Sequence, residues 1–234
     1  MSSRIQILAT LKECGVLSSA ALFSIAGTAS KRAFRYSLAG LVSNGLVSKR
    51  LQGASGGKSV YYQLSQDLKA RSTAARLLCC SVGSLSQSAF RGRDLPHVEG
   101  CGLMRAYLKK RFPDARILSE AEIIADPVAK DLLLWKQGET EFLPDVLLIL
   151  KYETGTLVSV AFEVERCRKS DTRVVKKLSK YASQTKLDGV VYFCEADHLT
   201  QTIRSLYRAK ALTKAVRIRY YADDFLLLGA SHSV

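Results

Sequence analysis

The segment Leu143-Pro144-Asp145-Val146-Leu147-Leu148-Ile149-Leu150, followed by the turn Glu153-Thr154-Gly155 and by Thr156-Leu157-Val158-Ser159-Val160-Ala161-Phe162-Glu163-Val164-Glu165, decides how the second half of the chain is read. Asp145 opens an apolar run from Val146 to Leu150, Glu153-Thr154-Gly155 is turn chemistry, and Thr156 to Glu165 reads as a second strand. Side chains alternate across a strand, so Ser159, Ala161, Glu163 and Glu165 share one face and Val160, Phe162 and Val164 the other. Acids at the end of an apolar strand are costly unless solvated, paired or bound to a cation. Hard divalent cations take oxygen ligands and neutralise the charge that develops in phosphoryl chemistry. Asp145, Glu163 and Glu165 are therefore candidate ligands of magnesium or manganese at a site acting on a phosphodiester. The competing reading is a hairpin with solvated acids at its end.

The residues that follow add to the first reading. Val174-Val175-Lys176-Lys177-Leu178-Ser179-Lys180-Tyr181 has helical spacing, with Val174, Leu178 and Tyr181 on one stripe. Its lysines lie close in sequence to the acids, and a lysine near a scissile phosphate stabilises charge or orients water. A solvated helix face accounts for the same lysines. Tyr181 sits on the apolar stripe, which packing explains.

The N-terminal third has a different pattern. Residues 3–13 read as a helix with Ile5, Leu8 and Leu11 in phase, and Leu17 to Ala26 as a second, with Ser18 and Ser19 as possible caps and Gly27 at its end. A third, capped by Thr28 or Ser30, reaches about Asn44 with the stripe Phe34, Leu38, Leu41 and Val42. Arg32 and Tyr36 project opposite that stripe, with Arg35 on its flank. Strands Leu46–Leu51 and Val60–Leu64 follow, joined by the glycine-rich loop Gly53 to Lys58. This is the order of a winged helix, whose third helix enters a major groove while the wing follows the phosphate backbone. Lys31, Arg32, Arg35, Tyr36, Lys49, Arg50 and Lys58 are the candidate DNA contacts. A winged helix serving protein contacts is the alternative.

The remainder is less legible. Leu68 to Cys80 reads as a connecting helix and Val82 to Asp94 as a loop, with a domain boundary in 67–95. His97 to Phe112 is a helix, Ala115 to Leu118 a short strand, and Ser119-Glu120-Ala121-Glu122 a helical start. Gly189 to Phe193 and Val216 to Tyr221 read as strands, His198 to Lys210 as a helix, and Asp223 to Leu228 as a segment that extends or pairs with the last strand. Strands alternating with helices predict an α/β (α+β) core with a mixed sheet over residues 96–234, behind a winged-helix domain over 1–66.

A Pro-Asp before a strand, a strand ending in Glu163-Val164-Glu165 and the Lys177-x-x-x-Tyr181 helix resemble the PD-(D/E)XK nuclease-like superfamily. More narrowly, the chain resembles the MobC-type plasmid mobilisation relaxases and related replication-relaxation proteins, which join a winged helix to a restriction-endonuclease-like core. The resemblance implies a nickase that binds a plasmid transfer origin as double-stranded DNA and cleaves one strand with a divalent metal. It further implies an accessory mobilisation or coupling protein as partner. The usual lysine two residues after the second acid is absent; the resemblance puts Lys177 in its place, Glu120 as an added acid before the first catalytic strand, and His97 at the opening of its helix. A DNA-binding regulator with a silent core is the alternative.

Composition sets the outer limits. The chain has 234 residues, 47% of them hydrophobic, and a formal net charge of +14. That charge suits a polyanionic partner. There is no long apolar segment, and Met1-Ser2-Ser3-Arg4-Ile5 lacks the apolar core of a signal peptide. Six cysteines without a Cys-x-x-Cys pair, and three histidines, disfavour structural zinc and fit free thiols in a cytoplasm. No Gly-x-x-x-x-Gly-Lys loop and no Gly-x-Ser-x-Gly elbow are present, which disfavours an NTPase and an α/β-hydrolase.

Overall fold

The computed structural model describes residues 2–54, 57–85, 94–133, 143–166, 169–209 and 216–220. The predicted segment Asp223 to Leu228 and most of the loop Val82 to Asp94 lie outside them. The chain forms two compact units, one reaching to Ala106 and the other beginning at Tyr107.

The first unit starts with α1 (Ser3–Cys14), whose inner face is Ile7, Leu8, Leu11 and Cys14. Ile5 is only half-buried, and Ile7 takes the core position expected of it, because Ile7, Leu11 and Cys14 continue the i, i+4, i+7 row. Leu17 is not helical, as its spacing suggests, but belongs to a short strand β1 (Val16–Ser18), and α2 begins only at Ser19 and runs to Ala26. Ser18 makes the change of state possible: its extended backbone ends β1, while its Oγ accepts the Ala21 N–H and caps α2. Helix α3 (Lys31–Ser43) is capped by Ser30, buries Phe34, Leu38 and Leu41, and ends at Gly45, whose φ of 69° is left-handed.

Strands β2 (Val47–Ala54) and β3 (Gly57–Leu64) pair antiparallel, and β1 joins the far edge of β3. The ladder continues to Ala54↔Gly57, so the predicted loop from Gly53 to Lys58 is mostly strand, and only residues 55 and 56 remain to connect it. Helix α4 (Leu68–Leu77) gives Ala74 and Ala75 to the same core as α1–α3, and Arg71 ties the chain after it by bonding the carbonyls of Val82 and Leu85. The segment 67–95, expected to connect two domains, therefore contributes to the first unit's core. Helix α5 (Leu95–Arg111) begins in this unit. Gly102 lets it approach α1, since a Cβ there would stand 2.3 Å from the Cys14 carbonyl oxygen.

The second unit is built on one five-stranded sheet: β4 (Arg116–Ser119), β5 (Val146–Lys151), β6 (Leu157–Glu165), β7 (Gly189–Cys194) and β8 (Val216–Tyr220), in that spatial order. The pairs β4–β5 and β5–β6 are antiparallel, while β6–β7 and β7–β8 are parallel, so the sheet is mixed as expected. Parallel neighbours need a crossover, and helices supply it: α8 (Asp171–Ala182) between β6 and β7, and α9 (Asp197–Ala209) between β7 and β8. Two short helices, α6 (Glu120–Ala125) and α7 (Pro127–Leu132), follow β4. Leu147, Ile149, Ala161, Val190, Tyr192 and Cys194 face Val174, Leu178, Tyr181, Leu199 and Ile203 in one apolar cluster. Each fully buried aliphatic or aromatic side chain there is worth about 1.5–3 kcal/mol. The chain is a mixed α/β protein, and the described residues form two sheets and contain no helix long and apolar enough to cross a membrane.

Candidate functional site

Strand register brings the acids together. Val146 pairs with Phe162, so the next position back places Asp145 opposite Glu163. Asp145 closes that step itself: its Oδ2 accepts the Val164 N–H at 2.7 Å. Glu165 follows two residues later on the same face as Glu163. The same extension from Ser119↔Val146 sets Glu120 opposite Asp145. Glu120, however, occupies the first position of α6, where a negative charge suits the helix start, while Ser119 and Glu122 form the capping box.

Glu163 has no exposed surface, between Ala161 and Glu165 on the face of β6 that α8 covers. It is held from α8, which crosses over it. The Lys177 ammonium lies 2.5 Å from its Oε2, and the Tyr181 hydroxyl donates to its Oε1. Lys177 and Tyr181 are four residues apart on one helix face, so the pair grips both carboxylate oxygens from one side. Lys176, by contrast, is exposed, while the two Glu163 oxygens are taken by Lys177 and Tyr181. The Tyr181 ring packs in the core as its stripe suggests, but its hydroxyl belongs to the acid cluster, which corrects the reading of this residue as packing alone. Glu165 is 4% exposed and meets the Lys169 ammonium at 2.7 Å. Beyond it, Arg166 makes two bonds to Glu195 at 2.7 and 2.6 Å, and the Glu195 N–H bonds the Glu165 carbonyl at 2.9 Å, which fixes the ends of β6 and β7 together.

Burial pushes the Glu163 carboxyl up to about 7; Lys177 opposes that rise and Asp145 adds to it. Burial also works against the charge on Lys177, but Glu163, Asp145 and Glu165 outweigh it and hold the ammonium above its usual range. Tyr181 and Tyr192 are driven well above the usual phenol range by burial and then by Glu163. At neutral pH the cluster thus holds a protonated Lys177, two neutral phenols, and a Glu163 near the midpoint of its titration. Three carboxylates act on one ammonium, and by donor type they would suit a hard, oxygen-preferring cation, but among the described residues Asp145, Glu163 and Glu165 do not converge as a three-ligand metal group.

The sequence signals for Tyr181 and Lys169 were available. Tyr181 stands one turn from Lys177, and Lys169 is four residues from Glu165. Of Lys176, Lys177 and Lys180, Lys177 borders Leu178 on the buried stripe, three residues after Val174, which is the signal that selects it.

On the first unit, Lys31, Arg32, Arg35 and Tyr36 are exposed along α3, Tyr36 at 76%, opposite the buried row Phe34, Leu38 and Leu41. Lys49 and Arg50 are exposed on β2, an edge strand, and as neighbours they point to opposite faces. The Lys58 side chain lies outside the described part. His97 stands in the first turns of α5, with its Nε2 3.6 Å from the Cys101 sulfur one turn on.

No protein-family model, no curated protein and no solved structure matches this chain.

Proposed function

We propose that the chain binds duplex DNA through its first unit and cleaves one DNA strand with its second, with a divalent metal as cofactor. In this reading the first unit is a winged helix, the second is a nuclease-like core, and the substrate is a plasmid transfer origin, as in the mobilisation relaxases the sequence resembles. An accessory mobilisation or coupling protein is the further partner of that reading. The observation that carries it is the Lys177 ammonium at 2.5 Å from Glu163. Nuclease sites of this kind need a lysine beside the acid pair, none follows Glu163 on its own strand, and α8 delivers one instead.

A bound magnesium or manganese ion would neutralise phosphate charge and make water a better nucleophile. The chain's own residues have separate parts. Asp145, Glu163 and Glu165 would hold the ion. Tyr181 keeps the Glu163 carboxylate turned toward Asp145's strand. Lys177, once released from Glu163, bonds a non-bridging phosphate oxygen and stabilises the charge gathering there. On the first unit, Arg32, Arg35 and Tyr36 face the major groove from α3, while Lys31, Lys49, Arg50 and Lys58 meet phosphates.

One observation favours a second reading, a DNA-binding regulator with a silent core: both oxygens of Glu163 are already bonded, so the cluster is complete as a structural ion pair. Incubation with supercoiled plasmid carrying the cognate origin, with magnesium or manganese, separates the two. Open circles that vanish with chelator support cleavage. Supercoils left intact while the protein remains bound to the DNA support the regulator.

A further inference from the structure

Strand β7 carries a tyrosine to which the cleavage reading assigns nothing. Tyr192 pairs with Glu163 across β6 and β7, so the two side chains lie side by side on the face that α8 covers. Tyr192 is 1% exposed, and its hydroxyl is sealed from solvent with no hydrogen-bond partner among the described residues. Neighbouring strands stand about 5 Å apart, so the phenol lies within the layer that holds Glu163, Lys177 and Tyr181. A buried donor left unbonded is costly, and a phenylalanine ring would fill the same space without that cost.

The state of Glu163 explains where this donor is used. Its carboxylate is held by Lys177 and Tyr181. In the cleavage reading, on which this inference rests, Lys177 leaves Glu163 for a phosphate oxygen, and Glu163 then loses one of its two donors. We propose that Tyr192 is a positioning residue whose hydroxyl takes up the hydrogen bond that Lys177 gives up, and so holds Glu163 in the orientation that binds a divalent cation.

The test is Tyr192→Phe in the full chain, measured by calorimetric titration with manganese chloride and by thermal unfolding without metal. The expected result is a cation-free Tm equal to or above wild type, with manganese affinity weakened by about tenfold, the usual loss when a residue supporting a metal ligand is removed. Unchanged manganese affinity overturns the assignment. So does a cation-free Tm well below wild type, because the hydroxyl would then be bonded in the resting protein and its role structural. A wild-type chain that binds no manganese overturns the metal reading itself, and the role of Tyr192 falls with it.

Discussion

Replacing Glu163 by glutamine tests the electrostatics of the site directly, because it removes a buried charge and keeps the shape. In the wild-type protein the carboxyl titrates near 7 instead of at its ordinary 4.5. Between those two values the native state holds a proton that the unfolded chain has released, so wild-type stability falls as pH rises through that window and is level above it. The distance from 4.5 to about 7, at about 1.36 kcal/mol per pH unit, amounts to about 3 kcal/mol. Glu163→Gln carries no such proton, and every other titrating group is common to both proteins. The stability of the variant relative to wild type should therefore climb by about 3 kcal/mol from pH 4.5 to pH 8. The assay is urea unfolding at a series of pH values. Hydrogen exchange of β6 and β7 peptides assigns the transition, since two compact units can unfold separately. A difference that stays flat with pH, or that falls as pH rises, would mean that Lys177 outweighs burial and keeps Glu163 ionised.

Other consequences follow from the same geometry. Lys177→Met should cost more stability at pH 8 than at pH 6, approaching the ~3–5 kcal/mol of a broken buried pair only where Glu163 stays ionised, as read by the same urea series. Tyr181→Phe removes a hydrogen bond to a charged acceptor and should lower stability by about 1.5–3 kcal/mol at pH 8 while the ring continues to pack. Replacing Arg32 and Arg35 together by alanine should weaken binding to a preferred duplex by about 1–3 kcal/mol for each arginine that reads a base edge, measured by titration against specific and random duplexes. Lys58→Ala should instead weaken binding to all sequences alike and flatten the salt dependence.

The parts of the fold that were legible are those with long periodic signals. The β5–β6 hairpin follows from an apolar run and an alternating one separated by Gly155, whose φ of 83° is left-handed, and α8 from the phase of Val174, Leu178 and Tyr181. Strand β1 was not legible because three residues, Val16 to Ser18, are too few for a period to register, and their apolar character continues smoothly into α2. Reading 67–95 as a connector overlooks that Ala74 and Ala75 are small enough to let α4 lie against the first unit's core, a matter of packing that composition does not encode. At the site, one face of β6 already joined Glu163 and Glu165 in sequence, but the partners of Glu163 depend on how α8 is laid across the sheet. Periodicity tells which side of a helix is buried; it does not tell that the hydroxyl of a buried Tyr181 meets a carboxylate from another element.

In the proposed reading, Asp145, Glu163 and Lys177 act together in cleaving a DNA strand. This is tested most directly by the initial rate at which supercoiled origin plasmid becomes open circular with manganese, for wild type, Asp145→Asn and Lys177→Met, each folded and held at equal DNA occupancy. Wild type should cleave, and both variants should lose cleavage. Cleavage at the wild-type rate by either variant, or none by wild type bound to its DNA, would contradict that reading.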